Sequence, residues 1–178
     1  MNVLTNSEDC NRWHELVRDM TLHEEYWESE FDLDWLRGKG WIVIPAERAQ
    51  HFIPAEISTM VSALNRRGFA ECMAVATEPL DPLATCYTLA ITESDFISFN
   101  KECGLFRFLL TDDARNWAVS CSESYNLFAG PRDLVEQMLG QSVADAWRSF
   151  WTFLDEPSID PDGLLHQAAK RYLSLIEK

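Results

Sequence analysis

Histidine is the side chain best suited to acid–base or metal chemistry near neutral pH, and the chain has four: His14, His23, His51 and His166. His14-Glu15 and His23-Glu24 each begin like a zinc-binding helix, in which a second His four residues on brings two imidazoles to one face. Arg18 and Trp27 occupy those positions instead. Asp32-Leu33-Asp34 and Asp160-Pro161-Asp162-Gly163 echo the start of a calcium loop, but the remaining ligands and the closing Glu are missing at the needed spacing. On these spacings no metal ion and no cofactor is expected.

Nucleophile and phosphate chemistry fare no better. Ser120-Cys121-Ser122 places a thiol between two hydroxyls, yet a reactive Cys needs a neighbouring base and electropositive surroundings. Cys121 sits in an alternating, strand-like run of an acidic chain, so a buried structural Cys is expected. There is no G-x-S-x-G elbow, and neither glycine-rich phosphate pattern occurs. The segment Asn65-Arg66-Arg67-Gly68-Phe69-Ala70 faintly echoes a coenzyme A loop. Its Gly follows a helical pattern and precedes a strand, the reverse of what such a loop requires. The residues favour a binding protein over an enzyme, and no catalytic residue is assigned.

The strongest local anomaly is a concentration of carboxylates. Residues 1–37 hold ten acids (Glu8, Asp9, Glu15, Asp19, Glu24, Glu25, Glu28, Glu30, Asp32 and Asp34) against Arg12, Arg18 and Arg37. Tyr26, Trp27, Phe31 and Trp35 are interleaved with them. Aromatic anchors ringed by carboxylates suit docking to a basic protein, the rings supplying contact area and the charges steering the encounter. The candidate partner-binding residues are therefore Glu24, Glu25, Trp27, Glu28, Glu30, Asp32 and Asp34. The alternative is an amphipathic helix with its rings in the core, because Trp27, Phe31 and Trp35 recur at helical spacing.

The whole chain shares this charge. Its 178 residues carry 29 acids and 15 Lys and Arg, a formal net charge of −14. Such a field repels nucleic-acid phosphates and anionic membranes and attracts basic proteins. Neither nucleic acid nor membrane is expected as a partner. The 47% hydrophobic content suffices for a packed core. Five cysteines without C-x-x-C spacing read as free thiols in a reducing compartment. The N-terminal residues lack a basic region and an apolar core, so no secretion signal is expected and the cytoplasm is the expected location.

These residues must be positioned by helices at both ends of the chain and strands between. Trp13, Leu16, Val17 and Met20 mark a first helix, and Trp27, Phe31 and Trp35 predict a second, stopped by Gly38 and Gly40. Residues 41–44 read as a strand, 57–67 as a helix ended by Gly68, 69–76 and 86–92 as strands, and 94–104 as a short helix. Strands at 105–111, 117–122 and 125–129 form an antiparallel meander. Helices follow at 132–140, around Val143 to Leu154, and from Leu164 onward, with an Asp- and Pro-rich loop at 155–163. This pattern predicts a single α+β domain spanning residues 1–178. It has a mostly antiparallel sheet in the middle of the chain, covered by N- and C-terminal helices.

One stretch resembles a known class. Residues 117–131, a strand, a tight turn, a strand and Gly130-Pro131, lead into the helix at 132–140. This succession resembles small acidic bacterial proteins, some of them similar to immunity proteins of polymorphic toxin systems. The resemblance covers about 25 residues and transfers no site residues. It implies a cytoplasmic α+β inhibitor that neutralises a basic partner such as a toxin domain. Two alternatives stay open: a small cytosolic enzyme whose active site is dispersed in sequence, and a structural or adaptor subunit that self-associates through its aromatic helices.

Overall fold

In a computed structural model, residues 1–22, 30–47, 52–78, 85–122 and 124–176 are described. The chain is α+β, as its pattern predicts, and among the described residues seven strands form one antiparallel sheet. The strands are β1 (Asn2–Val3), β2 (Ile42–Glu47), β3 (Glu71–Ala76), β4 (Cys86–Ala90), β5 (Phe108–Thr111), β6 (Ala118–Cys121) and β7 (Tyr125–Gly130). The helices are α1 (Ser7–Arg18), α2 (Leu33–Lys39), α3 (Pro54–Arg66), α4 (Glu93–Cys103), α5 (Arg132–Leu139), α6 (Val143–Leu154) and α7 (Leu164–Leu173). The spatial order is β1-β4-β3-β5-β6-β7-β2. The expected meander is present as β5-β6-β7.

Local chemistry explains the helix ends. Asn6 opens α1 by accepting from the Glu8 amide at 3.0 Å, and Glu8, Asp9 and Arg18 complement the helix dipole. The Asp32 carboxylate opens α2 by accepting from the Trp35 amide at 2.7 Å, and Gly40 closes it in the left-handed region at φ 65°. Pro54 begins α3, where a missing N–H costs nothing, and Glu56 reaches back to the Ile53 amide at 2.9 Å. Ser142 caps α6 through the Asp145 amide.

The sheet is buried on both faces. Paired residues in an antiparallel sheet share a face, so the register sorts the side chains. Cys86, Val75, Leu109, Ser120, Leu127 and Pro45 form one row, and Tyr87, Ala74, Leu110, Val119, Phe128 and Ile44 the other. On the first face lie α1, joined to Cys86 through Cys10, and α7, whose Tyr172 meets Tyr125 through Glu30. On the second face Phe99 of α4 stacks edge-on against Phe108 at 5.4 Å, and Phe52, just before α3, packs on Phe128 and Phe96. Two-sided burial is why β7 is buried along its whole length rather than alternating.

The second expected helix is the main correction. Phe31 is not helical; it pairs with Thr21 in an isolated antiparallel bridge, and α2 starts only after Asp32. Trp27 lies outside the described residues. Helical spacing misled because Phe31 is drawn into the core from an extended segment, where it is completely buried.

Phe108 is fully buried between the rings of Tyr87 and Phe99, so Phe108→Ala should destabilise by about 3–5 kcal/mol. Leu105→Ala, at an exposed position, should stay within about 0.5 kcal/mol. Urea denaturation of both variants checks this, and similar midpoints would contradict the placement of the core.

Candidate functional site

The proposed docking residues separate in the structure. Glu24, Glu25, Trp27 and Glu28 lie outside the described residues. Asp32 is half-buried and engaged in capping α2. Asp34 is exposed and pairs with Arg37 at 2.9 Å. Glu30, expected as a surface carboxylate, is only 2% exposed. Of the interleaved rings, Phe31 is core, while Trp35 is half-buried, at right angles to Trp41 with ring centres 5.1 Å apart and with the Lys39 ammonium 5.6 Å from its own ring centre.

Glu30 turns inward because two tyrosines receive it. The Tyr125 hydroxyl of β7 donates to one carboxylate oxygen and the Tyr172 hydroxyl of α7 to the other. The adjacent Phe31 amide donates to the Tyr172 oxygen at 2.9 Å, leaving that hydroxyl's own proton for the carboxylate. Burial raises the Glu30 pKa, opposed by the two tyrosine bonds and by the nearby Arg171 charge. Burial, followed by the carboxylate's own charge, pushes both tyrosines well above their ordinary value, so both remain donors.

A second cluster lies where α1 crosses the start of β4. Cys10 and Cys86 are joined as a disulfide, their Cα atoms 6.0 Å apart and 76 residues apart in sequence, a spacing such a bond requires. The expectation of five free thiols is thereby corrected to three, Cys72, Cys103 and Cys121, all buried. Burial pushes the Cys72 thiol far up and Cys103 to about 11, so both are inert at neutral pH. Cys121 is a buried strand residue, in keeping with its sequence context.

His14 stands one helical turn after Cys10 on the same side of α1. It is half-buried, and burial, then the charge of Arg18, lowers its pKa. The Thr85 hydroxyl lies 3.3 Å from the Cys10 sulfur. Leu4, Asn6, Ser7, Asn11 and Thr85 complete an open groove of about 360 Å³ over Cys10 and His14. A smaller groove of about 190 Å³ runs between β2 and α6 beside Glu47 and Glu56. The metal spacings considered in the sequence were those of His–His pairs and calcium loops, and neither covers Cys10 and His14 at i, i+4. Nothing local signals Cys86, Tyr125 or Tyr172.

No protein-family model, curated protein or solved structure matches the chain. No helix among the described residues is long and apolar enough to cross a membrane.

Three measurements check this geometry. In air-oxidised, denatured protein a thiol reagent should label three cysteines; labelling of five would remove the Cys10–Cys86 bond. Replacing Glu30 with Ala should cost about 1–3 kcal/mol, because both tyrosine hydroxyls lose their acceptor. A raised native pKa means the native state holds the proton longer than the unfolded chain, so stability is lost as pH rises from the ordinary glutamate value of about 4.3. The melting temperature of the wild type should therefore fall relative to Glu30→Gln as pH rises through that range. A gap moving the other way would contradict the dominance of burial.

Proposed function

We propose that the protein binds a basic protein partner and inhibits it, in the manner of an immunity protein acting on a toxin domain, through its acidic N-terminal surface. The observation that carries this reading is the net charge of −14, half of it within residues 1–37. A field of this sign and size raises association rates with basic proteins and disfavours phosphate backbones and anionic lipid.

The described part of this surface supports the reading in detail. Glu8, Asp9 and Glu15 of α1 are exposed, as are Asp19 and Asp34. Asp19 and Asp34 have arginine neighbours, Arg115 at 3.5 Å and Arg37 at 2.9 Å. Exposed pairs of this kind are weak, about 0–1 kcal/mol, and can be exchanged for a partner's cations. Glu30 is excluded from the docking set by its burial, and its role becomes that of a buried tie to Tyr125 of β7 and Tyr172 of α7. The resemblance of residues 117–140 to immunity proteins points the same way, and a cytoplasmic location is part of this proposal.

Reversing Glu24, Glu25 and Glu28 to Lys tests the reading. Tagged wild type incubated with host lysate at low ionic strength should retain basic proteins. Their on-rates should fall steeply as the screening length shrinks from about 30 Å at 0.01 M to about 8 Å at 0.15 M salt. The triple variant should melt like the wild type and lose at least about tenfold in on-rate with little change in off-rate. Capture indifferent both to salt and to the triple reversal would overturn the proposal.

A further inference from the structure

Among the described residues, Cys10, His14 and Cys86 form the one grouping of His, Cys, Asp or Glu side chains close enough to share a metal ion. Each offers one ligand atom, and the three atoms lie within 4.8 Å of one another. Around a tetrahedral zinc ion, with Zn–S of about 2.3 Å and Zn–N of about 2.0 Å, neighbouring ligand atoms stand about 3.5–3.8 Å apart. The observed cluster needs only side-chain adjustment to meet that spacing. It is also built on two regular elements: Cys10 and His14 share one side of α1, and Cys86 begins β4 on the face that α1 covers. We propose that, with the Cys10–Cys86 bond reduced, Cys10, Cys86 and His14 bind one zinc-like divalent ion whose fourth position opens into the groove beside Asn11 and Thr85.

The chemistry balances without further groups. An external dithiol gives two electrons and two protons to the disulfide; the S–S bond breaks, Cys10 and Cys86 become thiols, and the dithiol leaves as its own disulfide. Zinc binding then displaces the two thiol protons into solvent, and two thiolates cancel the charge of the ion. The resulting neutral site suits Cys86, which is completely buried, where an uncompensated charge would be costly. Two thiolates and an imidazole select zinc-like ions over magnesium or calcium. Three protein ligands leave one position for water, and the groove of about 360 Å³ provides the access. Metal and disulfide exclude each other, because both use the same two sulfurs. A reducing compartment, which keeps such pairs as thiols, would favour the metal-bound state.

Cobalt is the probe, because its tetrahedral thiolate complexes absorb visibly where zinc is silent. Full-length protein, reduced and kept free of oxygen, should develop thiolate-to-cobalt charge-transfer absorption that saturates at one equivalent and is abolished by zinc. The air-oxidised protein should show none. Cys10→Ser should lose the charge-transfer band, and His14→Ala should weaken cobalt binding by at least about tenfold, the loss seen even for residues that only support a ligand. Both replaced side chains are half-buried on α1, and matching melting curves for the reduced proteins verify that the variants fold. Absence of the band in the reduced wild type would overturn the proposal. So would unchanged affinity in His14→Ala, or a band that survives Cys10→Ser and thus belongs to other cysteines. None of these changes removes a carboxylate of the acidic surface, so the result is independent of the partner-binding reading.

Discussion

The Glu30 carboxylate is the interaction on which the arrangement of one whole face of the sheet depends. It receives hydroxyls from residues 95 and 142 positions away, and so ties the end of the acidic segment to β7 and to the last helix. Taking a carboxylate out of water is costly unless its oxygens are met by donors, and each oxygen is met by a tyrosine. Removing any member leaves the others unsatisfied, so the cluster specifies a single arrangement. Downstream of it, Phe31 is drawn into the core, Asp32 opens α2, and the chain enters β2 at the sheet edge with Trp41 buried.

Two-sided burial of the sheet explains how a chain of this length accommodates so many aromatic rings. One face is packed by rings of α4 and the segment before α3; the other is filled by α1, α7 and the Glu30 cluster. Among the described residues the acids are exposed or half-buried, with Glu30 and Asp112 the buried exceptions. The molecule combines an apolar interior with a strongly negative exterior, a division that leaves fold stability to packing and partner choice to charge.

The fold was legible where punctuation and period agree. Gly68, Gly130-Pro131 and Gly140 mark element ends, and the stripes Ile57, Met60, Val61, Leu64 and Leu134, Val135, Met138 mark buried helix faces, so α3, α5 and the β5-β6-β7 meander could be read directly. β1 could not, since two residues carry no period. The spacing of Trp27, Phe31 and Trp35 fits a helix, yet at Phe31 tertiary packing overrides it. Strand order was also illegible, because β2 pairs with β7 across 77 intervening residues, 48–124, and no local pattern encodes that. The candidate site was legible only as net charge. Glu30 and Asp34 are alike in sequence, but one faces two tyrosines and the other water. The Cys10–Cys86 pair, 76 residues apart, becomes visible only when α1 lies across β4.

Anchoring of the acidic segment by Glu30 is the central claim, and the Phe31 amide reports on it directly because it donates to the Tyr172 hydroxyl inside the cluster. Native-state hydrogen exchange at that amide is the measurement. An anchored segment predicts exchange only through global unfolding, with the same free energy as the central strands β5 and β6. Exchange of the Phe31 amide at the rate of an open loop, while those strands stay protected, would contradict it.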